Sequence, residues 1–292
     1  MVGSTKGDRI GDALLMAGLG LLGFLALYPL IYTLSLSLSS ATAALRPGLH
    51  LYPREISFEA YRILGSNPAI LAGTLNALWR TAVGTSLTVL VSAMAAYPLS
   101  RHEFGPRRYV MFAIVFTMLF GGGLFPSYML TRNLGLIDNR WVYILPGLVG
   151  AFSIIVLKNF FQAIPESLIE SARIEGASEW TILFRIVLPI SKPVLATVAL
   201  WTALAHWNAW FDALLYINDD SKQVLQTFLR RMVIQQDPTL VQRGIVNPDP
   251  AAYTPETLKA AAIVLTVLPM MILYPFVQKH FIKGITLGAV KE

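Results

Sequence analysis

The chain has 292 residues, of which 55% are hydrophobic and 14% charged, whereas a soluble domain carries about 25% charged residues; that imbalance excludes burial of the apolar residues in one globular core. The net charge of +6 is spread through the loops rather than gathered into a stripe, which excludes a nucleic-acid surface. The absence of cysteine excludes disulfides, thiolate zinc sites, iron–sulfur clusters and cysteine nucleophiles.

Apolar runs of about 20 residues, spaced along the whole chain, make lipid the solvent for most of it. The first, Ala13–Leu38, follows Lys6 and Arg9 and precedes Ala41-Thr42-Ala43, which has the look of a cleavage site. It is well beyond the core of about 7 to 15 residues of a signal peptide, so it reads as a retained first span. Five more follow: Leu78–Leu99, Tyr109–Leu130, Trp141–Leu157, Val194–Tyr216 and Leu258–Val277. An even number of spans puts both ends on one side. The third is interrupted by Gly121-Gly122-Gly123 and Pro126, and the fourth by Pro146-Gly147. Breaks at lipid depth need protein or a water-filled cavity to satisfy the freed backbone groups, and the glycine run reads as a kink or a close helix contact rather than a gate.

The loops Ser100–Arg108 and Lys158–Lys192 and the tail from Gln278 share the side of the two ends. The loops Ser39–Ala77, Thr131–Arg140 and the Pro/Asp-rich Ile217–Thr257 face the other side. The tightest basic clusters, Arg101 with Arg107 and Arg108, then Lys279 with Lys283, favour cytoplasmic ends, although basic residues summed over all loops are nearly balanced. No internal repeat is visible.

The loop after the fourth span carries the clearest local signals. Pro165 suits the first position of a helix, and Gly176 suits a left-handed stop past its end. Ser178 then caps a second helix, Glu179 favours its positive end, and Pro189 closes it. On the first helix Glu166, Glu170 and Arg173 fall at i, i+4 and i+7 and share a face, while Leu168, Ile169 and Ala172 lie elsewhere on the turn. Two carboxylates on one face repel, so the face is cheaper when a cation on another protein answers it. The plainer reading is a solvated helix with a local Glu170–Arg173 pair.

From Glu170 onward the loop resembles the EAA loop of binding-protein-dependent ABC importer permeases: Glu170-Ser171-Ala172, Gly176 and Ile186-Val187-Leu188-Pro189 keep its spacing, with Ser171 in place of the first Ala and Glu175 in place of the usual Asp. The segments Ala95–Arg101, Gly122–Tyr128, Leu134-Gly135-Leu136, Trp207-Asn208 and Gly284–Lys291 are similar to the carbohydrate branch, which includes the maltose permease pair. The resemblance implies an all-α polytopic membrane protein with six transmembrane helices, the type I ABC importer transmembrane-domain fold. Residues 1–70 would hold the tail, first span and outer loop, and 71–292 the permease core, with a coupling loop at 162–190 and a tail at 278–292.

By the same resemblance, Glu166, Glu170, Ala172, Arg173 and Gly176 form the contact with an ATPase subunit. Gly284 and Gly288 lie in a tail that reaches between ATPase subunits, although Glu292 stands where the family tail usually ends in Gly. The implied partners are a second permease in a heterodimer, two ATPase subunits that bind ATP and Mg, and an extracytoplasmic sugar-binding protein reached by the loop Ile217–Thr257. The chain has no phosphate-cradling Gly-x-x-x-x-Gly-Lys motif, no cofactor is expected on it, and it is not expected to be an enzyme. The second permease of an alginate importer is one candidate.

Asn76, Ser92, Ser153, His206 and Asn208, with Trp207 and Trp210 as stacking faces, are candidates for the sugar path; polar and aromatic groups in spans more often serve packing or sit at the interface. His206 has no second ligand at helical spacing, which argues against a metal. A secondary transporter would show inverted repeats and charges near the membrane centre, and neither is apparent. An intramembrane enzyme lacks its motifs, and a passive scaffold leaves the loop unexplained.

Overall fold

The computed structural model describes residues 6–232 and 253–289, with side chains over 11–232 and 253–272. Among the described residues there is no strand, only an antiparallel bridge between Ser39 and Ile56. The chain packs as two compact units, Met1–Pro68 with Leu229–Leu268 and Ala69–Phe228 with Pro269–Glu292.

In the first unit α1 spans Lys6–Ser37. Its apolar stretch Gly11–Ser37 has a window with none of its residues buried, so its whole circumference is apolar surface for lipid or another helix. The hydroxyl of Thr33 donates to the Pro29 carbonyl at 2.7 Å within this helix. Beyond it, Ser40 N–H donates to the Glu55 carbonyl at 2.9 Å and the Ser40 hydroxyl to the Glu55 carboxylate at 2.6 Å, closing the loop that carries the bridge.

The second unit is built round α2, Pro68–Ser100. Its buried residues Ile70, Gly73, Ala77, Arg80, Gly84, Thr88, Ser92, Ala96 and Leu99 recur every three or four positions, one continuous inward face. The expected third span is not one rod. It is α3, Arg107–Leu119, and α4, Leu124–Asn133, bent by 114°. Gly123 takes a φ of 83° at the bend, a left-handed conformation that glycine adopts without a Cβ penalty. The fourth starts as 3-10 turns over Arg140–Gly147 and continues, 51° away, as α5, Ala151–Gln162, five residues past the expected end at Leu157.

The two helices expected in the loop 162–190 are α6, Glu166–Ile174, and α7, Glu179–Ile182. The latter runs on through a π-helical stretch, Leu183–Val187, and the turn Leu188–Ile190. Pro189 stands one residue before the end of this helix, Ile190, and Ser191 follows as its cap. The widened π turn precedes Pro189, whose ring clashes with the carbonyl four residues back in a regular helix. The expected fifth span also divides, into α8, Lys192–Asn208, and α9, Phe211–Tyr216, because Ala209 is extended (ψ of 133°) and its carbonyl accepts from Arg80 at 3.3 Å.

The last helix, α10, covers Pro255–Ala289 and starts before the expected Leu258. Thr254 and Thr257 cap it reciprocally: Thr257 N–H donates to the Thr254 hydroxyl at 3.2 Å and Thr254 N–H to the Thr257 hydroxyl at 3.0 Å. The backbone expected as a tail from Gln278 is helical to Ala289. Among the described residues three helices are long and apolar enough to cross a membrane, and counting each of three bent pairs as one crossing, the third being Glu179–Ile190 with Lys192–Asn208 at 82°, gives up to six. The part of the loop Ile217–Thr257 from 233 to 252 lies outside the described residues, as do residues 290–292.

Candidate coupling loop and translocation path

The two short helices of the coupling loop dock on the unit's own core. Ile169 and Ala172 of α6 and Ile182, Leu183 and Val187 beyond it are buried with Ala93, Ala96 and Tyr97 of α2 and Ile154, Leu157 and Phe161 of α5. Each fully buried Ile or Leu is worth about 1.5–3 kcal/mol relative to exposure, so apolar burial holds the loop against α2 and α5. Ala172 faces this core, 8% exposed.

The turn between the helices is a full Schellman motif. Gly176 has a φ of 82°, its N–H donates to the Arg173 carbonyl at 2.9 Å, and Ala177 N–H reaches the Ala172 carbonyl at 3.0 Å. The Ser178 hydroxyl accepts from Thr181 N–H and caps α7. Pro165 lies one position earlier than expected: it is the capping residue, with a ψ of 129°, and Glu166 opens the helix.

The shared charged face divides. Glu166 and Glu170 are exposed, and Glu170 makes no ion pair with Arg173. The Arg173 guanidinium turns the other way. Its Nη1 donates to both oxygens of Glu103 at 2.8 Å and its Nε to Glu179 at 2.9 Å. The second Glu179 oxygen accepts the Tyr97 hydroxyl at 2.6 Å. Arg101 stands over the Tyr97 ring at 5.2 Å and donates to the Phe161 carbonyl at 3.2 Å. Hydrogen bonds to Glu103 and Glu179 hold Arg173 more firmly protonated than a free arginine. Burial pushes the Glu179 carboxyl up, but the Tyr97 hydroxyl and Arg173 outweigh it and hold the group below its ordinary value. Leu168, Ile174 and Trp180 are left exposed beside the acidic face, Ile174 at 87%.

The residues expected on a sugar path are not brought together. The Asn76 amide is a buried brace, donating to the carbonyls of Ser221 at 2.8 Å and Gln223 at 2.9 Å. Ser92 is fully buried in the inward face of α2, and Trp207 is 1% exposed. The His206 imidazole lies against Gly84: a Cβ there would sit 2.6 Å from its Nε2. Ser153 is half-buried on α5, Asn208 is exposed and donates to the Leu204 carbonyl at 2.9 Å, and Trp210 packs edge-on to Phe211 at 5.6 Å. Among the described residues no group of acidic or histidine side chains is arranged to hold a metal.

Sequence reasoning missed a charge pair. Arg80 of α2 grips Asp212 of α9 with both terminal nitrogens, one of them at 3.0 Å, and lies over the Tyr143 ring at 4.8 Å. The Arg80 side chain is 4% exposed and that of Asp212 25%. The signal was present, since two of the expected spans each held a single charge of opposite sign. Gly284 and Gly288 lie in the last turns of α10, where side-chain surroundings are outside the described residues.

Comparison with known proteins sets this geometry in context. The family model described as "binding-protein-dependent transport system inner membrane component" matches residues 69–287. The polygalacturonan/rhamnogalacturonan transport system permease protein YtcP of Bacillus subtilis (strain 168) is 39% identical over 289 residues, 97% of this chain and 99% of that protein. Protein LplC of the same organism is 38% identical over 289 residues, 99% of this chain and 97% of that one. A chain in the crystal structure of a bacterial ABC transporter involved in the import of the acidic polysaccharide alginate superposes with a TM-score of 0.90 at 33% identity, covering 96% of this chain and all of that one. The match over most of the chain, whose described residues are mostly helical and offer up to six membrane crossings, means that the protein belongs to the family of binding-protein-dependent transport system inner membrane components.

Proposed function

We propose that the chain is one of two channel-forming subunits of an ATP-driven oligosaccharide importer, and that loop 162–190 is the point at which ATPase subunits pull on it. The observation that carries this reading is the surface of α6. Glu170 is exposed beside exposed Leu168 and Ile174, and Glu166, also exposed, lies within electrostatic reach of Arg101, while Ile169 and Ala172 on the other side of the helix are buried in the core. An exposed acidic and apolar face on a helix packed into the core is suited to a basic groove on another protein.

Closure of two ATPase subunits on ATP and Mg would draw two such loops together, and the helices behind them would exchange an inward-facing for an outward-facing cavity. The helix end around Gly284 and Gly288 would reach between the ATPase subunits. Both chain ends would then be cytoplasmic, and an extracytoplasmic binding protein would deliver the sugar to the opposite face. The names of YtcP and of the alginate transporter support a polysaccharide-derived substrate, and an acidic oligosaccharide fits both.

The test is the assembled complex of both permeases, ATPase subunits and binding protein, offered labelled oligogalacturonates and alginate oligosaccharides. Glu170→Lys should uncouple hydrolysis from uptake while the permeases remain paired. Normal substrate-stimulated hydrolysis together with normal uptake in that variant would refute the coupling role.

A further inference from the structure

Arg173 shares a helix with Glu170, yet its guanidinium is spent inside its own chain. It holds Glu103, in the turn between α2 and α3, with a two-oxygen grip, and Glu179, at the start of α7, with a third N–H···O bond. Glu179 is in turn held by Tyr97, three residues from the end of α2. Arg101, stacked on Tyr97, ties the same end of α2 to the last turn of α5 through the Phe161 carbonyl. One cation thus joins the coupling helix, the helix after it and the end of the central rod. The side chains of Glu103 and Glu179 are 65% and 54% exposed, so the joint lies at the surface, where its bonds are exchangeable rather than sealed.

We propose that Arg173 is a positioning residue, the pin of a joint that transmits displacement of the coupling helix to α2, and not part of the surface that an ATPase subunit grips. The proposal rests on the coupling role given to loop 162–190. Apolar packing through Ile169 and Ala172 keeps α6 on the bundle, but apolar contacts are non-directional and let a helix roll. Directed hydrogen bonds from two guanidinium nitrogens to two carboxylates, Nη1 to Glu103 and Nε to Glu179, fix its angle. With the pin removed, α6 should still bind its partner and pivot without moving α2.

The chain contains no cysteine, so Leu75→Cys, on the exposed side of α2 and far from the joint, gives this subunit a single reporter thiol. The measurement compares the rate of maleimide labelling at that thiol in the assembled complex before and after vanadate trapping with MgATP, beside the amount of ATPase subunit that co-purifies. With Arg173 intact, trapping should change the labelling rate. Arg173→Ala should reduce that change at least fivefold while ATPase co-purification stays within twofold. Arg173→Lys, a point charge without the fork, should recover part of it. The Glu103→Gln, Glu179→Gln double variant should match Arg173→Ala, because the three groups act as one unit.

Should Arg173→Ala assemble poorly, Tyr97→Phe removes one hydroxyl without a cavity and should at least halve the trapping response. An undiminished response in either variant overturns the proposal. So does loss of ATPase subunits in step with loss of response, since Arg173 would then be a docking residue. Failure of the unmutated chain to retain any ATPase subunit, or to respond to trapping, would instead defeat the coupling reading beneath it.

Discussion

Breaking the Arg80–Asp212 pair should be costly, and unequally so from its two ends. Charges about 4 Å apart attract by about 4 kcal/mol at the effective dielectric of about 20 that suits protein sites, and removing one partner of a buried pair costs about 3–5 kcal/mol, because the other is left uncompensated. The two orphans differ here. Arg80→Met leaves Asp212, whose side chain is 25% exposed and whose carboxylate still accepts from Ala213 N–H at 2.9 Å. Asp212→Leu leaves a guanidinium that is 4% exposed, with only the Ala209 carbonyl and the Tyr143 face for company. Expected losses are therefore about 2 kcal/mol for Arg80→Met and about 4 kcal/mol for Asp212→Leu. The double variant should lose only about 3 kcal/mol, less than the sum, for a coupling of about 3 kcal/mol. Titration of mixed micelles with SDS, followed by fluorescence of the six tryptophans, measures all three against the unmutated chain. Additive losses, or a larger loss for Arg80→Met than for Asp212→Leu, would refute the argument.

Two further outcomes follow from close contacts elsewhere. Gly84→Ala would place a Cβ 2.6 Å from His206 Nε2, so the imidazole must swing away at a cost of about 1–3 kcal/mol; a thermal midpoint that falls in the single variant and recovers in Gly84→Ala/His206→Ala checks this. In the loop after α9, backbone amides of Asp219 and Asn218 together with Lys222 hold the Asp138 carboxyl below its ordinary value, and Ser221 and Lys222 do the same for Asp219. Folded values below the unfolded one mean that this contribution is complete above the ordinary value of 3.8 and is lost as pH falls through the lowered values. Amides of 218–222 should accordingly lose protection on acidification below that point in hydrogen exchange corrected for intrinsic rate, and Asp138→Asn should expose them at neutral pH.

What the sequence revealed was local. The left-handed turn at Gly176 and the Ser178 cap are decided within a few residues, and both stand where spacing placed them. The glycine run before Leu124 signalled a break, but not that the chain would turn by 114°. The division of the fifth span at Ala209 carried no Gly or Pro to announce it, because its cause is a partner on another helix, the Arg80 guanidinium. Arg173 was legible as a charge on a face, but its direction depended on Glu103, seventy positions earlier in the chain. The local pair with Glu170 lost to it because Arg173 here reaches two carboxylates, Glu103 and Glu179, from two different nitrogens, whereas Glu170 offers a single exposed i, i+3 contact.

Under the coupling role proposed for the loop 162–190, α2 is suited to carry a displacement. Near one end it is fixed by Arg80 to Asp212 and by Asn76 to the Ser221 and Gln223 carbonyls, contacts largely shut away from water. At the other, Tyr97 meets the loop 162–190 through an exposed network of two carboxylates and one guanidinium, and Arg101 ties that end to the Phe161 carbonyl of α5. Between Arg80 and Tyr97 lies an unbroken helix of about 25 Å at 1.5 Å per residue. A buried ion pair pays heavily for separation, whereas surface pairs are worth about 0–1 kcal/mol each and re-form readily. The buried joint holds the far end of the rod, while the directed bonds of Arg173 hold the loop end at its angle, so under the proposed coupling role a pull on the loop would be delivered to α9 and the segment after it.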